Sequence, residues 1–233
     1  MKQWLARMSG DSFDLEELSY WFPTGPIHCI QRADGFYLAG ETLNALDDDS
    51  GVHEAAVAAL DEFSAIVALL APGFTRPSVD AVFVEDEKGR RAFVRLEGNI
   101  RGRSKVRAEL SVSGMPKPSE TTAQQLLKGA RARPEHSILV VLWADPIRTW
   151  PRLYRTFEEI ERILCRDVDK AGLTSGEQRK RFARSANAAE IAGKDSRHAL
   201  GQFVPPKNSM TLQEGTAFIA VLIQHVFSQA SVP

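Results

Sequence analysis

Apolar positions in the first part of the chain switch between the spacing of strands and that of helices. Three short segments are favourable for strands: 2–8, 28–32 and 36–39. Asp34-Gly35 lies between the last two and is typical of a tight hairpin turn. From Val52 to Leu70 apolar residues recur every third or fourth position. This spacing predicts a long helix, which Pro72-Gly73 ends.

Three more strands are predicted after this helix, at 79–86, 91–99 and 104–113. The last two alternate, with Ala92 and Val94 on one side of the first of them. Because side chains in a strand point to opposite faces in turn, we expect these apolar residues to face the core. The pattern favours an antiparallel meander with the long helix covering one face.

The other side of this predicted meander is basic. Its cations are Arg91, Arg95, Arg101, Arg103, Lys105 and Arg107. A sheet face with six cations can follow the phosphates of a nucleic acid. The plainer alternative is an outer face kept soluble, with Glu97 and Glu109 pairing across strands.

The second half of the chain has helical periodicity. Residues 150–164 form a clean amphipathic stripe. Capping boxes at 175–178 and 211–214 predict the starts of two more helices. Segments 120–132 and 136–144 are the remaining helix candidates, and a buried strand is the alternative for the latter. Short connections between such helices are typical of an up-and-down bundle.

These patterns predict an α+β fold in which an N-terminal antiparallel sheet with helices precedes a C-terminal all-α bundle. The predicted domains are 1–113 and 120–233, joined by a short proline-containing linker at 114–119.

Composition narrows the class of protein. The 233 residues are 43% apolar and 25% charged, which is enough to form a packed core. Two cysteines exclude a disulfide scaffold. The apolar runs are shorter than the roughly 20 residues that span a bilayer, and the N-terminus turns acidic before a signal-peptide core. We therefore expect a soluble cytoplasmic protein that does not bind membranes.

Charge differs between the halves. Residues 1–113 carry 12 Lys+Arg and 18 Asp+Glu, whereas residues 114–233 carry 17 and 12. A mildly basic half is compatible with a nucleic-acid partner, and equally with two domains that dock. No nucleotide-binding loop, zinc-ligand spacing or serine-hydrolase elbow occurs, so we expect no cofactor and no metal site.

A polar segment late in the chain contains the candidate catalytic residues: Arg184, Asn187, Arg197 and His198. A histidine can take or give the proton of a ribose 2′-hydroxyl near neutral pH. An arginine can hold a phosphate with two hydrogen bonds and stabilise its developing charge. Structural roles, such as a buried histidine or a helix-ending asparagine, are the alternatives.

The helical half resembles the HEPN superfamily of small helical bundles. The residues that carry the resemblance are 150–154, 182–187 and 196–199. It implies a metal-independent ribonuclease site formed by an Arg and a His, often across a homodimer interface. Members usually separate the two residues by four to six positions, whereas Arg197 and His198 are adjacent.

The resemblance favours a nucleic-acid-associated protein with RNA as its partner and leaves catalysis open. The alternatives are a non-catalytic interaction or dimerisation module of a defence or toxin–antitoxin system, and a small-molecule sensor with a pocket between the domains.

Overall fold

The computed structural model describes residues 2–87, 89–94, 119–193 and 205–230. The chain is α+β, with an antiparallel sheet in its first part and helices through most of the rest. It divides into two compact units, Met1–Gln125 and Leu126–Pro233, which we call the sheet unit and the helical unit. The division falls within helix α4 (Thr122–Arg131). Of the predicted linker, only Ser119 lies within the described residues.

The sheet unit contains the predicted strands before residue 95 and the predicted long helix, together with two shorter helices. The strands are β1 (Gln3–Ser9), β2 (His28–Arg32), β3 (Gly35–Ala39), β4 (Ser78–Asp86) and β5 (Gly89–Val94). The helices are α1 (Ser12–Trp21), α2 (Glu41–Asn44) and α3 (Asp49–Leu70). The strand order is β2-β3-β1-β4-β5, with antiparallel pairing throughout. The opening strand therefore lies at the centre of the sheet, between two hairpins.

One face of the sheet forms the main core of this unit. Register places Trp4, Ala6, Val82 and Val84 on that face, and all four are buried. The Trp4 indole donates to the carbonyl oxygen of Leu46, just before α3, at 2.9 Å. The rings of Phe22 and Phe63 stack with centroids 4.0 Å apart. The long helix thus covers this face, as its apolar spacing predicts.

The predicted orientation of the fifth strand is wrong. Ala92 and Val94 were expected to face the core, but both are exposed, Val94 by 62%. Arg91 pairs in register with the buried Val84, so it is Arg91 that shares the α3 side of the sheet. Alternation in a strand shows which residues share a face, but it does not show which face the helices cover.

The helical unit contains the helices predicted after the linker. They are α5 (Ser137–Ala144), α6 (Trp150–Leu164), α7 (Gly176–Asn187), α8 (Ala189–Ala192) and α9 (Leu212–Ala230). Segment 136–144 is therefore helical. Five aromatic residues on α6, α7 and α9 pack together in what we call the aromatic cluster: Trp150, Tyr154, Phe157, Phe182 and Phe218. Phe182 is fully buried at its centre and ties α7 to both neighbours.

No helix among the described residues has the length and apolar character needed to cross a membrane. The same residues contain no group of three or more His, Cys, Asp or Glu side chains placed to hold a metal ion.

Candidate nucleic-acid interface

Helix α7 carries four cationic side chains within six positions. Two of them form ion pairs with neighbouring elements. The N-cap of α7 is Ser175, whose side chain accepts from the backbone N–H of Gln178 at 3.1 Å. This confirms the predicted N-cap, but the described residues show no return bond from the Gln178 side chain to complete the capping box. Arg179 donates to both carboxylate oxygens of Glu161 on α6, at 2.7 and 3.1 Å, and to Asp167 at 3.1 Å. These bonds raise the pKa of Arg179 and fix α7 against α6.

Arg181 extends to the segment before α9. It donates to the carbonyl oxygens of Asn208 and Ser209, at 2.7 and 3.2 Å, and to Glu214 at 2.9 Å. Glu214 also accepts from the N–H of Thr211, while its own N–H donates to the Thr211 hydroxyl. This reciprocal pair confirms the second predicted capping box. Both contacts hold the pKa of Glu214 below its usual value, with the Thr211 bond the larger cause.

Lys180 and Arg184 are left on the surface. Both are exposed, and they lie four positions apart on α7, so their side chains occupy the same side of the helix. Neither side chain forms an ion pair or hydrogen bond with another residue in the ranges described. Two like charges one turn apart repel each other, and a phosphate between them would relieve that repulsion. This pair is the most direct candidate for an anion contact on the helical unit.

The predicted catalytic residues fall into two groups. Arg184 and Asn187 both lie on α7, but Asn187 is buried and its side-chain amide donates to the Ala183 carbonyl oxygen at 2.9 Å. Asn187 thus belongs to the packing of the helix end, while Arg184 lies in solvent. Arg197 and His198 lie outside the described residues, so their arrangement with Arg184 stays a prediction.

Only one of the six cations predicted on the sheet lies within the described residues. Arg91 is exposed on β5, and its guanidinium donates to Asp86 at 2.8 Å. The other five are Arg95, Arg101, Arg103, Lys105 and Arg107, which lie outside the described ranges. This is an exposed ion pair on the α3 side of the sheet, and such a pair contributes little to stability.

A second group of arginines occupies the sheet face opposite α3. Arg90 lies over the ring of Phe83, at 4.1 Å, and donates to the Tyr37 hydroxyl at 2.7 Å and to Asp34 at 2.5 Å. Arg7 and Arg32 flank it, and their carboxylate partners are Asp80 and Glu85, respectively. Burial raises the pKa of Tyr37, and the Arg90 bond lowers that of Asp34. Each of these three arginines therefore has a carboxylate partner.

Substitutions of Arg90 and Arg91 compare an arginine that stabilises the fold with one that forms only an exposed ion pair. We expect Arg90→Ala to lower the free energy of unfolding by about 1–2 kcal/mol, because it removes a ring contact, a hydrogen bond and an ion pair together. Arg91→Ala, which loses one exposed pair, should change it by less than about 0.5 kcal/mol. Urea denaturation followed by circular dichroism measures both. Equal losses in the two variants would contradict the assigned contacts.

Lys180 was not among the site residues predicted from the sequence, and the distribution of charge around α7 was not predicted either. The signal was the run of cations at 179–181, followed by Arg184. The side chains of residues 179 and 181 point about 200° apart around the helix axis, so a single neighbouring element cannot form ion pairs with all three cations of the run. It follows that some cation in such a run stays exposed, although the sequence does not say which one.

In comparisons with protein-family models, curated proteins and solved structures, the chain matches none of them.

Proposed function

We propose that the helical unit binds single-stranded RNA through α7, as a nucleic-acid-associated module of HEPN-like type. The observation that carries this proposal is the exposed pair Lys180 and Arg184, which no described residue neutralises. Cations that are not already paired gain more from a phosphate than cations that must first leave a carboxylate. On α7 the arginines on either side of Lys180 are occupied, so the two exposed residues are the available contacts.

The HEPN resemblance adds a proposed reaction, which is cleavage of the RNA bound at this surface. Arg184 is the second residue of the exposed pair. The polar segment with Arg197 and His198 follows α7 and α8 in the sequence. In the proposed site, an arginine binds the phosphate and His198 transfers the proton of the 2′-hydroxyl. Asn187 has a structural place in α7 and takes no part in this proposal.

The test of binding compares variants of equal charge. Fluorescence anisotropy with a labelled single-stranded RNA is measured at about 50 mM salt and at rising salt. We expect Lys180→Ala/Arg184→Ala to weaken binding on the order of tenfold, and to reduce the slope of log affinity against log salt by about 1.4, since each phosphate contact on a single strand contributes about 0.7. Circular dichroism verifies that the variant is folded.

The matched control is Arg155→Ala/Lys170→Ala. It also removes one arginine and one lysine from the surface of the helical unit, but both are ion-paired, to Glu159 and Asp167. Its affinity should stay within about twofold of the wild type. If the control weakened binding as much as the α7 variant, only net charge would matter and the proposed interface would be wrong.

The same samples, incubated with a chelator in place of divalent metal, test for cleavage. Products that form with the wild type and disappear with His198→Ala, while binding persists, would assign ribonuclease activity to that histidine. Binding by the wild type without products would identify a non-catalytic module. Wild-type cleavage by His198→Ala would remove the acid–base role from this residue.

A further inference from the structure

A groove lies between the start of α7 and the middle of α9, entirely within the helical unit. Its volume is about 390 Å³, in the range of small-molecule sites. Its apolar lining is formed by Leu173, Met210, Ala217, Phe218, Val221 and Leu222. Val221 is 50% exposed, so apolar surface in this groove is open to solvent. A concave site lined mainly by apolar side chains, with a few polar groups at its edge, is typical of a ligand-binding surface.

The aromatic wall of this groove is held in place. The Phe218 ring is 5.2 Å from Phe182 and 6.5 Å from Phe157, centroid to centroid, so the aromatic cluster supports it from behind. Phe218 remains partly exposed on the side that lines the groove. A ring fixed in this way loses little conformational freedom when a planar ligand packs on it.

The polar rim offers hydrogen bonds without an unbalanced charge. Arg181 and Glu214 both line the groove, and they neutralise each other in the ion pair already described. The exposed side chain of Gln178 is on the rim and forms no hydrogen bond with the rest of the described chain. A primary amide has both donors and acceptors, which suits the edge of a nucleobase.

Cations lie directly beside this apolar space. Gln178 and Arg181 point to the groove from α7, and Arg184 is one turn further along the same helix. Because residues of a helix turn by about 100° each, Arg184 follows Arg181 by about 60° around the axis. Lys180 lies next to Arg184 on that flank. The surface thus joins an apolar, aromatic recess to an exposed positive pair.

We infer that the groove between α7 and α9 receives one unstacked base of the single-stranded RNA that Lys180 and Arg184 hold by its phosphates. This inference rests on the proposed function and names the part of the RNA that is recognised. A nucleotide is complementary to this surface, because its planar base suits the apolar recess and its anionic phosphate suits the two cations. Stacking on aromatic side chains is the usual way in which proteins hold single-stranded bases.

The experiment uses two RNA probes of the same length and charge. One is an ordinary labelled oligoadenylate, and the other has the same ribose-phosphate chain with every base removed. We expect the full-length wild type to bind the ordinary strand on the order of tenfold more tightly than the abasic strand. In Ala217→Leu, which fills the groove from an exposed position of α9, this ratio should fall close to one. Its affinity for the abasic strand should stay unchanged.

Two further variants keep the result interpretable. Ser228→Leu adds the same side chain at an exposed position of α9 outside the groove lining, and it should keep the tenfold ratio. Gln178→Ala removes the rim amide without adding volume and should lower the ratio severalfold. Circular dichroism verifies folding in each case.

The outcomes separate this inference from the proposal on which it rests. Equal binding of the two probes by the wild type, or a ratio that Ala217→Leu leaves intact, overturns the base site while the phosphate contacts stand. Failure of the wild type to bind either probe overturns the proposed function together with the inference. A lowered ratio in Ala217→Leu but not in Ser228→Leu supports the groove.

Discussion

Gly40→Ala is expected to lower the free energy of unfolding of the sheet unit by about 3–5 kcal/mol, because it combines backbone strain with a steric clash. Gly40 joins β3 to α2 with a φ of 142°, a conformation that side chains rarely adopt. A Cβ atom there would clash with the carbonyl oxygen of Pro26. That oxygen is itself fixed, because it accepts from the N–H of Thr42.

The loss would extend beyond the turn. Asn44 at the end of α2 accepts from the backbone N–H of Trp4 at 2.7 Å, so a displaced α2 also disturbs the central strand. Since a domain has about 5–15 kcal/mol of stability in total, this loss is a substantial fraction of it, and the midpoint of unfolding should fall markedly. Urea denaturation followed by circular dichroism measures the change.

Gly89→Ala is the matched control for this variant. Gly89 has a φ of 114°, which is also unfavourable, but apart from its chain neighbours no atom of the described residues lies within 4 Å of a Cβ atom built there. Only the backbone strain should then count, about 1–2 kcal/mol. If Gly40→Ala cost no more than Gly89→Ala, the close approach of Pro26 would be wrong.

Phe182→Ala is expected to destabilise the helical unit by about 3–5 kcal/mol. The Phe182 ring is fully buried, with centroids 5.1 Å from Phe157 and 5.2 Å from Phe218. Its removal leaves a cavity at the point where α6, α7 and α9 meet. The measurement is a urea titration followed by circular dichroism.

Phe182→Leu tests whether burial or the ring matters more. Leucine restores most of the apolar volume but not the aromatic contacts, so the loss should fall to about 1–2 kcal/mol. A result in which both variants unfold like the wild type would mean that Phe182 does not lie in the core. A result in which leucine is as harmful as alanine would mean that the ring contacts dominate.

Local elements of this fold could be predicted from the sequence because they depend on residues that are close together in the chain. The structure confirms the predicted hairpin, with Ala33 and Asp34 as its turn residues and Gly35 at the start of β3. It also confirms the capping residues Ser175 and Thr211. The long helix α3 follows in the same way from its apolar spacing. Each of these features depends on residues that are neighbours in the chain.

Non-local features could not be predicted in this way. The stacking of Arg90 on Phe83 depends on the pairing of β4 with β5 and on which face α3 covers, and neither follows from alternation alone. For the same reason Val94 was assigned to the wrong side. The burial of Asn187 likewise depends on how the end of α7 packs.

For the candidate site, the sequence identified Arg184 but not the reason for its exposure. That reason is the occupation of Arg179 and Arg181 by carboxylates on different elements. The relation of Arg184 to Arg197 and His198 stays a prediction.

The bonds of Arg179 and Arg181 also determine how α7 is turned about its own axis. Arg179 binds Glu161 and Arg181 binds Glu214, in directions about 200° apart around the helix. A rotation of α7 in either sense would lengthen one of these ion pairs. Lys180 lies between the two in sequence, so its neighbours set its direction, although its side chain has no ion pair or hydrogen bond within the described ranges. The helix therefore presents its outer cations in one fixed orientation before any ligand arrives, and a ligand that binds them spends no free energy on turning the helix.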